Sequence, residues 1–258
     1  MTDKVILFRV DEENKDEYEI AKKIFKVKLN RSSCYHETVI GRYSVLPYYQ
    51  ELVTDLCNNK CNLINTYWEH KWIANFEYYN ILKDYTFETW TDPRELPEGQ
   101  FVVKGRTNSR KSKWNTLMYA KDRTEAIGIG HELSSDPLIG SQGIIYRKYE
   151  ELELIEEGIN GQRFVNEHRI FYYKNNRLAH GYYWTQSEKI PTIDNKGLSF
   201  AQDIAEIVSN HVNFFVLDVA RNTNGDWRLV EINDGQMSGL SHVNPYELYT
   251  NLKIEIEK

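Results

Sequence analysis

The chain has little cysteine. Cys34, Cys57 and Cys61 are its only thiols, too few for a disulfide-stapled scaffold and in keeping with a reducing compartment. Cys34, His36, Cys57 and Cys61 could be offered as a zinc set. However, Cys57 and Cys61 fall four apart on one expected helix with no zinc-finger spacing, so buried or idle thiols are the better reading. No apolar run is long enough to span a membrane, and Met1 to Val10 lacks the apolar core of a signal peptide. A cytoplasmic protein is the resulting expectation. Positive charge is not in excess either. Lysine and arginine number 32 against 38 acids, and the formal charge of −6 argues against broad binding to nucleic acid or a membrane surface. Internal repeats and low-complexity segments are missing too.

What is present suits a globular protein: 41% hydrophobic residues, 27% charged, and enough length for one large domain or two. Tyrosine is abundant. The aromatic stretch Tyr67 to Tyr85 and the run Tyr182-Tyr183-Trp184 could shape a pocket or simply pack.

Short strands alternate with helices over the first third. Lys4 to Val10 reads as a buried strand, Asp11 to Val27 as an amphipathic helix, and Thr38 to Gly41 as another strand. Pro47 can open a helix to about Asn58, Cys61 to Thr66 predicts a strand, and Ile73 to Leu82 a helix. This pattern points to an open α/β layer. Two prolines and a glycine in Thr89 to Gly99 mark a boundary, giving an N-terminal α/β domain over 1–95 and a second domain over 96–258.

Phe101-Val-Val-Lys104 is a strand ending in lysine. It runs into Gly105-Arg-Thr-Asn-Ser-Arg110-Lys111, a loop of small polar and basic residues that could lie along phosphates or be a solvated tip. Asp122-Arg-Thr-Glu125 has capping-box spacing and opens a helix to Leu133. Gly143 to Glu151 is a strand. Glu167 to Lys174 and Arg177 to Trp184 flank Asn175-Asn176 as a hairpin, with Glu167 and Arg169 on one face. A helix from about Ser199 to Val212 and a closing helix opened by Asn244-Pro245 complete the chain.

The most informative stretch is Phe214 to Gly239. Asn224-Gly225 between two apolar runs predicts a two-residue hairpin turn, which sets Thr223 opposite Asp226 and Asp218 opposite Glu231. Asn233 shares the face of Glu231. Two facing carboxylates repel unless a cation sits between them. Two acids and an amide suit magnesium, whose shell is commonly completed by water and substrate phosphates.

Lys104, Arg147, Glu167, Arg169, Asp218, Glu231 and Asn233, in that order, resemble the ATP-grasp superfamily, and more narrowly its clade named for two arginines and a lysine, common in bacteria and phages. Three pieces carry the resemblance: Phe101 to Lys104 with the Thr107-Asn-Ser109 loop, Ile144 to Glu150, and Asp218 with Glu231-Ile-Asn233 and the following Asp234 to Gly239. The resemblance implies an α/β (α+β) ATP-grasp fold. Two α+β subdomains, 96–150 and 151–258, would clasp ATP behind the N-terminal domain. It further implies ATP contacts from Lys104, Ser109, Arg147, Tyr149, Glu150 and Glu167, magnesium on Asp218, Glu231 and Asn233, and catalytic roles for Arg169 and Lys104. Arg221, Ser238 and Gly239 become candidates for the substrate side. Each arginine could instead be a structural ion pair. Two departures stand out: Arg147 occupies the hinge position where many such ligases carry glutamate, and Glu153 to Asn166 is longer than a simple alignment expects.

The implied activity is ligation of a small-molecule or peptide carboxylate to an amine through an acylphosphate, with release of ADP and phosphate. A kinase or nucleotide-modifying enzyme on the same fold, and a non-catalytic ATP-binding protein, remain alternatives. The acid, the amine and the oligomeric state are not legible in the sequence.

Overall fold

The computed structural model describes residues 3–258. Its first lobe is built on β1 (Lys4–Phe8), α1 (Lys15–Ile24), β2 (Lys26–Lys28), β3 (Thr38–Arg42), α2 (Tyr49–Asn58) and β4 (Asn62–Leu63). The strands form a wholly parallel sheet in the order β2-β1-β3-β4. Parallel neighbours require crossovers, and α1 and α2 supply two of them. The first helix ends before Val27, because Lys26 to Lys28 pair with Val5 to Leu7 as β2. The helix expected over Ile73 to Leu82 is two: α3 (Tyr67–Ala74) and α4 (Tyr79–Leu82), separated at Phe76, whose φ is 64°. A reciprocal capping box starts α3. Thr66 Oγ1 accepts from the Glu69 amide at 3.2 Å, and Glu69 Oε2 accepts from the Thr66 amide at 2.6 Å.

The second sheet contains β5 (Thr89–Trp90), β6 (Phe101–Gly105), β7 (Tyr119–Ala120) and β8 (Ile144–Lys148), in the antiparallel order β5-β8-β6-β7. The short α5 (Trp114–Leu117) precedes β7, and α6 (Arg123–Ser134) follows it. Phe101 and Val103 pack with Ala126, Ile129 and Leu133 of α6. Strand alternation therefore turns Val102 and Lys104 to the opposite face.

The long segment from Glu153 to Asn166 forms a two-stranded flap, β9 (Leu154–Glu157) and β10 (Arg163–Val165). Beyond it come β11 (Glu167–Tyr173), β12 (Asn176–Tyr182), α7 (Asn195–Val208), β13 (Phe214–Arg221), β14 (Trp227–Asp234) and α8 (Pro245–Glu257). The four strands make an antiparallel sheet, β12-β11-β13-β14. Asp194 starts α7 four residues earlier than the apolar spacing suggests, its Oδ1 accepting from the Gly197 amide at 2.7 Å.

This sheet is covered on both faces. Ala201, Ile204, Ala205 and Val208 of α7 pack on Phe215, Leu217 and Val219. Leu248, Tyr249 and Leu252 of α8, with Ile6, Phe8 and Ile40 of the first lobe, pack on Phe171, Phe214 and Val216. Each such buried side chain contributes roughly 1.5–3 kcal/mol, so the first lobe is held to the sheet by a shared core. Arg42 reinforces the join, donating from Nε to Glu17 Oε1 at 2.9 Å and also bonding the Gly235 carbonyl at the end of β14. The face that is apolar at Phe171 and Val216 becomes charged at Arg169 and Asp218, one alternation further along each strand. That change of character marks the site.

Candidate active site

Asp218 and Glu231 pair directly across the β13–β14 ladder. The turn that leads there is longer than two residues. Asn222 N–H donates to the Asp226 carbonyl at 2.8 Å, Asn222 Oδ1 accepts from the amides of Asn224 (3.0 Å) and Asp226 (2.8 Å), and only Gly225, at φ 88°, takes positive φ. That loop alone would set Asp218 opposite Val230. A one-residue register shift between Asp218 and Val219 leaves Val230 as an extra residue and restores Glu231 to its place. The bulge has an anchor: Arg147 NH1 donates to the Val230 carbonyl at 2.6 Å.

The acids are held by cations from opposite sides. Arg169, facing Asp218 on β11, grips it in a two-pronged bond, Nε to Oδ1 at 2.9 Å and NH2 to Oδ2 at 2.7 Å. Its NH1 donates to the Gly239 carbonyl at 2.8 Å. Lys104 reaches from the second sheet to Glu231. Asn233 Nδ2 bridges Asp218 Oδ2 (3.1 Å) and Glu231 Oε1 (3.2 Å). Burial pushes the Glu231 carboxyl up, but Lys104 and then Lys111 outweigh it and hold it well below the usual carboxylate range. Burial has the upper hand at Asp218, raising its pKa against the pull of Arg169. Glu167 is pushed up to about 7 by burial, opposed by Lys111 and reinforced by Asp218 and Glu231.

Two cavities meet at this hairpin. The first, about 130 Å³, lies between the second and third sheets. Its walls are apolar (Phe87, Val102, Met118, Tyr149, Val165) and its polar edge carries Lys104, Ser109, Lys111, Arg147, Glu150, Glu167 and Glu231. Among the described residues, Arg147 Nε and NH2 and Glu167 Oε1 are buried without a hydrogen-bond partner. Buried polar groups are nearly always paired, so these atoms suit a polar ligand in the cleft. The second cavity, about 190 Å³, lies beyond the hairpin and is walled by Leu46, His70, Asn108, Arg169, Asn233, Ser238 and Gly239, with Glu231 again at its border. An apolar slot for a planar ring, cations between the chambers and a second polar chamber form a layout suited to moving a phosphoryl group.

The family model of the ATP-grasp domain, family 3 of the clade named for two arginines and a lysine, matches residues 92–252. The chain belongs to this family. No curated protein matches the sequence. Among solved structures, D-cycloserine synthetase DcsG is similar at a TM-score of 0.60 and 11% identity, covering 98% of this chain and 99% of that one. D-alanine–D-alanine ligase from Bacillus anthracis, complexed with ATP, gives 0.58 and 10%, covering 99% and 98%. The ATP-grasp ligase PsnB, complexed with minimal precursor, Mg and ADP, gives 0.57 and 8%, covering 99% and 98%. At these identities the likeness establishes the ATP-grasp fold and no more.

Within the ATP-grasp frame, the residues singled out in the sequence fall into three groups. Lys104, Ser109, Arg147, Tyr149, Glu150 and Glu167 line the first cavity, and Arg169, Ser238 and Gly239 the second; Asp218, Glu231 and Asn233 form the hairpin between. Ser238 Oγ donates to the Asp234 carbonyl at 2.8 Å, which fixes the loop that carries Gly239. Arg221 does not join them. It sits near the hairpin tip, with Nε donating to the Gly225 carbonyl at 3.3 Å and NH1 lying 3.6 Å from Glu153, because β13 runs away from the end where Ser238 and Gly239 lie. Arg147 stands over the Phe87 ring, 5.2 Å from its centroid, so its hinge position is used for packing as well as for donors.

Two residues escaped the sequence reading. Lys111 was only one base among several in the basic loop. In the fold its Nζ donates to Tyr183 Oη at 2.5 Å and stands 4.0 Å from that ring's centroid. His70 carried no signal, since the helix was expected to begin only at Ile73, whereas α3 starts at Tyr67. The flap also contributes: Gln162, Arg163 and Val165 close one side of the first cavity.

The hairpin's donors fit magnesium. They are all oxygen once the Asn233 amide turns Oδ1 inward, an orientation set by its hydrogen-bond surroundings. Among the described residues no three His, Cys, Asp or Glu side chains converge on one point. A metal here would therefore use two carboxylates and an amide and take further oxygens from phosphates.

Proposed function

We propose that the chain is an ATP-dependent carboxylate–amine ligase that works through an acylphosphate. The observation that carries this reading is that Glu231 lines both cavities, so a nucleotide in the first and a carboxylate in the second would meet at the Asp218–Glu231–Asn233 hairpin. Adenine suits the apolar walls around Phe87, Met118 and Tyr149. Lys104 and Lys111 would lie along the phosphates, with Ser109 and its neighbouring amides as a cover. Arg169 is positioned to steady the transferring phosphoryl group or the carboxylate. Magnesium on Asp218, Glu231 and Asn233 would neutralise charge between the β- and γ-phosphates. Without nucleotide and metal, Lys104 and Arg169 would neutralise the two acids.

The chemistry follows from this order. A carboxylate oxygen attacks the γ-phosphorus and ADP leaves; an amine then displaces phosphate from the acyl carbon and leaves an amide. The substrates would be small-molecule or peptide acids and amines. The test is a screen of amino acids and peptides for stimulated release of ADP and phosphate. Release of AMP and pyrophosphate would overturn the acylphosphate, and a stable phospho-product formed without an amine would make the enzyme a kinase.

A further inference from the structure

The wall of the second cavity contributed by the first lobe holds a side chain that phosphoryl transfer does not use. His70 of α3 is buried, its side chain 4% exposed, and its Nδ1 lies 3.2 Å from Asp234 Oδ2. Its ring stacks on Tyr49, with centroids 3.8 Å apart and planes 4° from parallel. Asp234 is itself fixed, its Oδ1 accepting from Asn65 Nδ2 at 2.8 Å and the Gln236 amide at 3.0 Å. In the neutral ring, a carboxylate behind Nδ1 favours the tautomer with the proton on Nδ1 and the lone pair on Nε2. Asp234 engages the ring through Nδ1, which leaves Nε2 for another partner, and His70 lines the same cavity as Arg169, Asn233, Ser238 and Gly239.

A purely structural histidine would be satisfied by the Tyr49 stack and the Asp234 bond. It would have no need to line the cavity that also holds Arg169 and Asn233. The arrangement is that of an oriented base: a carboxylate that fixes the ring, and an imidazole in the wall of the cavity where a reacting group would sit.

We propose that His70, held by Asp234, takes the proton from the amine that attacks the acylphosphate, and that this amine is a small primary amine of amino-acid size. The proposal rests on the ligase reading. Such an amine enters protonated and cannot attack in that form. Nε2 accepts one proton from the ammonium group, freeing the nitrogen lone pair. That pair forms the C–N bond at the acyl carbon while the C–O bond to phosphate breaks. Phosphate leaves with the bonding pair and takes the second nitrogen proton, and His70 returns its own proton to solvent. The cavity volume of about 190 Å³ suits small molecules rather than a folded partner.

Hydroxylamine tests the assignment because it is largely unprotonated at neutral pH and attacks acylphosphates without a base. Wild type, His70→Asn and His70→Ala are each given ATP, magnesium and a panel of amino acids of both hands and simple dipeptides, with either hydroxylamine or the amino acids as acceptors. For His70→Asn, amide formation is expected to fall about 10²–10⁴-fold while hydroxamate formation stays within about twofold. Added imidazole is expected to restore part of the amide rate of His70→Ala. The ratio of the two products does not depend on how much of a variant folds. Equal loss of both products, or unchanged amide formation, overturns the role of His70 and leaves the ligase reading standing. Absence of hydroxamate from the wild type across the panel overturns the ligase reading, and the role of His70 with it.

Discussion

Lys104 and Glu231 form an ion pair between two sheets, with the residues only 5% and 8% exposed, and Lys104→Met exposes what that pair does. The variant keeps the side-chain bulk but leaves a buried carboxylate short of its main counter-charge. Breaking a buried pair from one side typically costs about 3–5 kcal/mol. The lower end applies here, because Lys111 still acts on Glu231 and Asn233 Nδ2 still donates to it at 3.2 Å. For a chain of this size about 3 kcal/mol corresponds to roughly 6–12 °C in Tm. Adding Glu231→Gln to Lys104→Met removes the stranded charge and should recover most of the loss. The pH dependence has a definite sign. In the wild type the folded-state pKa of Glu231 is depressed below its ordinary 4.5, so its contribution is present above that value and lost as pH falls through the depressed one. In Lys104→Met that depression is weakened and Glu231 protonates at higher pH. The deficit of the variant is therefore full near neutrality and narrows in acid. Thermal unfolding followed by circular dichroism at pH 7.5 and pH 3.5 measures it. A single variant as stable as wild type at pH 7.5, or a deficit that widens toward acid, would refute the reasoning.

Asp218→Asn should lower turnover by about 10³-fold or more while leaving the circular dichroism spectrum unchanged; full ATP turnover would sink the metal assignment. Glu167, pushed up to about 7 by burial, has a folded pKa above its unfolded one, so its contribution is present below about 4.5 and lost as pH rises through about 7. Glu167→Gln should accordingly gain about 1–3 kcal/mol over wild type at pH 8 and little at pH 4 in denaturant unfolding; no gain at pH 8 counts against it. A Cβ at Gly181 would stand 2.4 Å from the His242 carbonyl carbon, and backbone cannot swing aside as a side chain can. Gly181→Ala should cost about 1–3 kcal/mol and weaken substrate affinity more than ATP affinity, measured by calorimetric titration, because that backbone continues the Ser238–Gly239 loop.

The pairing of Asp218 with Glu231 was legible because a turn signal, strand alternation and two acids at mirror positions act over a short stretch. Even so, the facing of Asp218 and Glu231 came out right through two compensating differences, a longer turn and the bulge at Val230. A bulge leaves no mark in the apolar pattern, and Arg147, which bonds the bulged Val230, lies far away in the chain. β2 was absorbed into the preceding helix because Lys26 to Lys28 is too short to display alternation and depends on β1 for its pairing. Ser238 and Gly239 could be proposed by adjacency, whereas Arg221 could not be rejected without knowing which way β13 runs. His70 was invisible for a deeper reason. Its meaning comes from Asp234 and from a cavity that exists only when the first lobe is packed on the last sheet.

The bulge at Val230 also separates the tip of the hairpin from its working end. Alignment at Asp218 and Glu231 is set by Arg147 on Val230 and by Arg169 on Asp218, both lying between the tip and the loop at Ser238. Thr223 and Asn224, exposed at that tip, thus make a natural grafting point. A tag or a fluorophore-bearing loop could be placed there, and the two halves of the proposed metal site would still come into step.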